Sequence, residues 1–215
     1  MEILTLLGTA LGLGFISGLN LYATVLAIGL GIRLGFFDPA PPFDQLEVLA
    51  HPYVLIPAAI AFTLEFFADK VPWVDSFWDS FHTIIRPVGA IVIAAAAITD
   101  LDPAIEVGLV ILCGGVAFLS HTTKAGTRLA ANHSPEPFSN ILLSLAEDAI
   151  AFIGAWLIFA HPIVLLTLVV LFVALALWLL PKLIRLIARQ VSRVRLAFRS
   201  TMGRIRGTST NVEPS

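Results

Sequence analysis

Between residues 162 and 180 the only polar side chain is Thr167. A helix needs about 20 consecutive apolar residues to cross a hydrocarbon core of about 30 Å, and this run supplies them. Of the 215 residues, 58% are hydrophobic and 13% charged, against roughly 45–50% apolar and 25% charged in a soluble domain. The chain therefore reads as an all-α, polytopic integral membrane protein, with the bilayer as its first partner. Such a body is compatible with a homo-oligomer.

The apolar runs mark about six spans. The first, residues 3–33, would measure roughly 46 Å as one helix, well beyond the core thickness. It is rich in glycine and has Ser17, Asn20 and Thr24 near its middle, so a kink or break is expected near Ser17–Asn20. Residues 34–50 read as a loop, because Asp38, Pro39, Pro41 and Pro42 interrupt any helix. Spans two and three follow at 52–69 and 74–98, with Pro87 a kink point in the latter. Residues 104–132 form another overlong span with a polar centre at Ser120–Thr123, also expected to be broken. Spans five and six occupy 138–160 and 162–180, and Pro181 is expected to end or kink the last.

The chain divides into a transmembrane domain at 1–181, a basic amphipathic juxtamembrane helix at 182–206 and a disordered tail at 207–215. Residues 182–206 hold eight Lys/Arg and no acid, whereas the preceding 181 residues hold five basic and fourteen acidic residues. Such a tail suits anionic lipid at a cytoplasmic surface, and nucleic acid is not an expected partner. With six spans, both termini are then cytoplasmic, in the inner membrane of a bacterium. The Lys70 turn and the segment with Lys124 and Arg128 fall inside, and the acidic loops around Asp38–Glu47 and Asp100–Glu106 fall outside. The N-terminus lacks a basic leader and reads as a retained first span. Cys113 is the only cysteine and reads as a small buried apolar side chain.

Residues 12–27, GLGFISGLNLYATVLA, align with residues 115–130, GVAFLSHTTKAGTRLA, at six identical positions of sixteen. These include Gly12/Gly115, Ser17/Ser120 and Thr24/Thr127. Each half then carries a span with a carboxylate at membrane depth, Glu65 or Glu147, and one further span. Two repeats, 1–99 and 100–181, with three spans each must be inverted across the membrane, as in many secondary transporters. The segments GLNLYATVLAIGL, EFFADKVPWVDSFWDSFHTIIRP and HTTKAGTRLAANHSPEPFSN…SLAED resemble a bacterial integral-membrane family called domain of unknown function 4126. The resemblance covers most of residues 10–165 and implies a helical membrane protein. It carries no activity over to this chain.

The function must therefore be sought in the polar residues. In the stretch EFFADKVPWVDSFWDSFHTIIR, Glu65 and Asp69 are one turn apart. Asp75, Asp79, His82 and Arg86 stack on one helix face, opposite a greasy stripe of Phe77, Trp78, Phe81 and Ile84. Ionisable groups at membrane depth are expensive and mark functional sites. The candidate substrate- or ion-binding set is Ser17, Asn20, Glu65, Asp69, Asp75, Asp79, His82, Arg86, Ser120, His121, Lys124, Arg128, Glu147 and Asp148.

The bland account is that these groups pair off, with Arg86 and Lys124 neutralising Asp79 or Glu147. The lead functional account is a small secondary transporter or channel-like carrier of an ion, a small solute or a lipid head group. In it Glu65 and Glu147 are proton or cation sites, and Lys124 and Arg128 attract an anion. A scaffold or assembly subunit is the alternative. A weaker one is a membrane-embedded enzyme, in which the carboxylate pairs Glu65/Asp69 and Asp75/Asp79, with His82, hold Mg²⁺. No catalytic motif and no cofactor is implied. His51, His133 and His161 read as helix-end residues, and Trp73, Trp78, Trp156 and Trp178 as interfacial anchors, although Trp73 and Trp78 could equally line a site.

Overall fold

The computed structural model describes residues 3–131, 137–182 and 184–185. Its elements are α1 (Ile3–Leu19), α2 (Leu21–Arg33), a short 3₁₀ segment (Asp44–Ala50), α3 (Pro52–Ala68), α4 (Pro72–Ala97), α5 (Pro103–Ala131), α6 (Pro137–Ala160) and α7 (Pro162–Lys182). Four helices are long and apolar enough to cross a bilayer, and five spans result if the 3₁₀ segment and α3, bent by 64°, count as one. The protein is an all-helical, multi-pass membrane protein. Of the basic helix expected at 182–206, all but residues 182, 184 and 185 lies outside the described residues, as do the tail at 207–215 and His133.

The first apolar run is broken where its polar centre falls. α1 ends at Leu19, α2 begins at Leu21, and Asn20 between them is extended (φ −151°, ψ 102°). The asparagine makes the break tolerable. Its Oδ1 accepts from the Ala23 amide at 2.9 Å, capping α2. The second expected break is absent: α5 is continuous through Ser120–Thr123. Ser120, Thr122 and Thr123 each donate their hydroxyl to a carbonyl three or four residues earlier in the same helix. Those side chains thus satisfy themselves without opening the backbone. One smaller expectation also changes: the loop at 34–50 contains the 3₁₀ segment, with Leu46 and Leu49 buried. α7 is described as far as Lys182, one residue past Pro181. Pro87 sits inside α4, which continues past it.

α1 is apolar around its circumference and lies at the centre, packed against α4, α5 and α6. Its approach to α5 is close because of glycine. A Cβ on Gly14 would strike the Cys113 carbonyl, and one on Gly18 would strike the Ser120 hydroxyl and the Ala117 carbonyl. Cys113 is fully buried at this contact. α7 instead turns most of its apolar surface outward, with Leu171, Leu175, Leu177 and Trp178 more than half exposed, as expected of a lipid-facing helix.

Replacing Gly18 by Val should overpack this contact and cost about 1–3 kcal/mol. Replacing Gly108 in α5 by Ala, where a Cβ meets open space, should be neutral or slightly stabilising. Thermal unfolding of the two purified variants in detergent checks the contrast.

Candidate functional site

The break at Asn20 lies against the cationic face of α5 and α4. The last carbonyls of α1 have no helical partner, and two cations take them. Arg86 Nη1 donates to Gly18 O at 3.2 Å, and Lys124 Nζ donates to Leu19 O at 3.0 Å. Cations belong at a helix C-terminus, where the backbone dipole is negative and orphan carbonyls need donors.

From these cations a network of carboxylates spreads. Arg128 bonds Asp75 and Glu147 directly, and Asp69 at 2.9 Å. Lys124 lies 3.2 Å from Glu147, 3.6 Å from Glu65 and 3.7 Å from Asp69. Arg86 bonds Glu65 and lies 3.8 Å from Asp79. The helical spacing explains the convergence. His121, Lys124 and Arg128 share one face of α5, Asp75, Asp79 and Arg86 one face of α4, and Glu65 and Asp69 one turn at the end of α3. All fourteen residues expected from the sequence are buried, Arg86 and Glu65 completely.

The hydrogen-bond partners fix the histidine tautomers. Arg86 Nη1 faces His121 Nδ1 at 3.0 Å, so Nδ1 accepts. His121 Nε2 then carries the proton and donates to Asp79 O and Thr83 Oγ1, each at 3.2 Å. His121 is therefore neutral. His82 Nδ1 donates to Trp78 O at 2.8 Å, which leaves Nε2 to accept from Tyr22 OH at 3.1 Å. Trp78 falls on the greasy stripe with Phe77, Phe81 and Ile84, and its position leaves open an interfacial anchor or a residue lining a site. Those three are exposed, but Trp78 stacks on the His82 ring.

Two expected site residues stand apart. Ser17 is buried with its hydroxyl unpartnered. Among the described residues, Asp148 touches the network only through Asn20, whose Nδ2 donates to its Oδ1 at 2.8 Å. Ser120 donates to Phe15 O and so ties α5 to α1. Tyr22, Thr83 and buried Ser144 were not anticipated. Thr83 is one turn beyond Asp79 on the charged stripe, and that spacing was the available signal. Tyr22 carries no such mark, because only the folded break brings it to His82.

The charge sum is unbalanced. Glu65, Asp69, Asp75, Asp79, Glu147 and Asp148 give six carboxylates, against three cations, Arg86, Lys124 and Arg128. Five of the six keep one oxygen that is buried and has no hydrogen-bond partner, Glu147 being the exception. A cavity of about 310 Å³ reaches this network between α4 and α5, lined by Asp75, Asp79, Ser80, Thr83, Ala125, Arg128 and Leu129. The carboxylate pairs imagined for Mg²⁺ are instead occupied by guanidinium and ammonium groups. Among the described residues no three His, Cys, Asp or Glu side chains converge as metal ligands. Lys124 and Arg128, expected to attract an anion, are likewise engaged by the chain's own carboxylates.

Among the described residues, removing Arg128 leaves buried Asp75 without a cation and leaves Asp69 and Glu147 to Lys124 alone. Arg128→Met should cost about 3–5 kcal/mol, the usual penalty for breaking a buried pair from one side. Unfolding in detergent and the amount of protein recovered from membranes measure this.

A family model described as "Domain of unknown function (DUF4126)" matches residues 7–182. No curated protein and no solved structure matches the chain.

Proposed function

We propose, for a chain that belongs to this family of unknown function, that it is a small secondary transporter or channel-like carrier working through the buried polar cluster. The observation that carries the reading is the surplus of carboxylates over cations at a broken helix. Desolvating an unbalanced charge is costly, so the cluster gains stability by taking up protons or small cations. A structural lock would have no use for that surplus. The α1–α2 break places backbone carbonyls and Asn20 beside these groups, the arrangement by which carriers meet their cargo at membrane depth. The cavity between α4 and α5 gives a route to Asp75 and Asp79.

In this reading α1 and α2 count as one broken span. With α3 to α7 that makes six spans, arranged as two inverted halves, 1–99 and 100–181, with both termini cytoplasmic. The cargo is an ion, a small solute or a lipid head group. A scaffold without transport is the second reading, favoured by one observation: each buried cation already contacts carboxylates and carbonyls of the chain itself, with Arg86 Nε alone among their described nitrogens left without a hydrogen-bond partner.

Water access separates the two. Cys113 is replaced by Ser, and single cysteines are placed at Asn20, Asp79, His121 and Glu147. An impermeant thiol reagent is then applied from each side of oriented vesicles. Transport predicts labelling of at least one position from both sides. Failure to label any position from either side, in variants that fold, leaves the scaffold reading.

A further inference from the structure

Asp148 differs from every other carboxylate in the cluster. It lies in α6 and is 8% exposed, yet no Lys or Arg of the described residues comes within ion-pair distance. Its neighbour Glu147 takes both Lys124 and Arg128. Asp148 has one hydrogen bond, from Asn20 Nδ2 to Oδ1, and its Oδ2 is buried without a partner. The charges that act on it most strongly are Lys124 on α5, opposed by Glu65 on α3 and by Asp69 at the C-cap of α3. Lys124 is already shared by three carboxylates and the Leu19 carbonyl. α1 and α2, which pack on α6, bring no charge to it; Asn20 is what they present.

We propose that Asp148 is a proton-binding site, with the proton carried on Oδ2, and that Asn20 couples its occupancy to the α1–α2 break. The idea deepens the transport reading and rests on it only for the coupling. A neutral carboxyl group suits a carboxylate with a buried, unpaired oxygen and no counter-cation. Uptake converts –COO⁻ and H⁺ to –COOH and removes one negative charge from the cluster. Release restores that charge beside the one amide that holds the break. Asn20 works at both ends. Its Nδ2 donates to Asp148, and its Oδ1 caps α2 through the Ala23 amide. A carboxylate accepts that bond more strongly than a neutral carboxyl oxygen does, since charge-assisted hydrogen bonds are the stronger kind. The proton's arrival and departure therefore alter how firmly the break is tied to α6.

The test is infrared difference spectroscopy of the full chain in liposomes across a pH titration, in H₂O and D₂O. The proposal predicts a protonated-carboxyl carbonyl band that moves in D₂O, is lost in Asp148→Asn and persists in Glu147→Gln. In Asn20→Ala the band should shift in frequency, because its hydrogen bond is gone. Asp148→Glu should keep a band and serves if the Asn variant does not fold. Identical carboxyl spectra for wild type and Asp148→Asn would overturn the proposal. If the Asp148 band is present but no membrane-side access is found at any cluster position, the proton site stands and the transport reading falls.

Discussion

Three cations hold the polar interior at the point where the central helix stops. Arg86 and Lys124 cap the end of α1 through the Gly18 and Leu19 carbonyls, and Lys124 and Arg128 gather four of the carboxylates. Neither half of this arrangement is tolerable alone. Open backbone at membrane depth needs donors, and buried guanidinium and ammonium groups need anions. Put together, the break and the charges satisfy each other. The rest follows from packing around them: α5 can bring Lys124 to Leu19 only because Gly14 and Gly18 let α1 lie against it.

On the transport reading proposed above, the same constraint separates this cluster from a passive lock. A lock would match charges one for one, whereas here carboxylates outnumber cations and most keep a buried oxygen free of hydrogen bonds. Protons and small cations are the species that can make up the difference, and both are the working currency of carriers. The neutral tautomer of His121, pinned between Arg86 and the Asp79 carbonyl, adds no positive charge to redress the balance. On that reading, structure and function meet in one quantity, the net charge of a buried site beside a helix break.

Much of this was legible in the sequence, for physical reasons. Charge is so rare in the apolar runs that each buried ionisable residue stood out, and helical spacing put the α4 and α5 groups on shared faces. Asn20 announced the break, because asparagine is a good helix cap and an expensive guest in lipid. Composition alone misled at Ser120–Thr123. Hydroxyl side chains in a helix can bond back to their own carbonyls, so α5 runs on where α1 stops. The pairing pattern was legible only in part. That Arg86 and Lys124 would neutralise Asp79 or Glu147 could be expected, but the bond from Arg86 to Glu65 and the three-way grip of Arg128 depend on how α3, α4, α5 and α6 converge. Trp78 shows the same limit: its position on the helix wheel allowed either lipid or a site, and only the fold puts its ring on His82.

The central claim is that the cluster's unbalanced charge exchanges with the water phases. The direct measurement is charge movement after a pH jump, recorded from proteoliposomes on a solid-supported membrane, which requires no knowledge of the cargo. The account predicts a transient current above that of protein-free liposomes, reduced when Glu147→Gln and Asp148→Asn are combined. A wild-type response indistinguishable from protein-free liposomes, from protein shown to be folded and inserted, would contradict it.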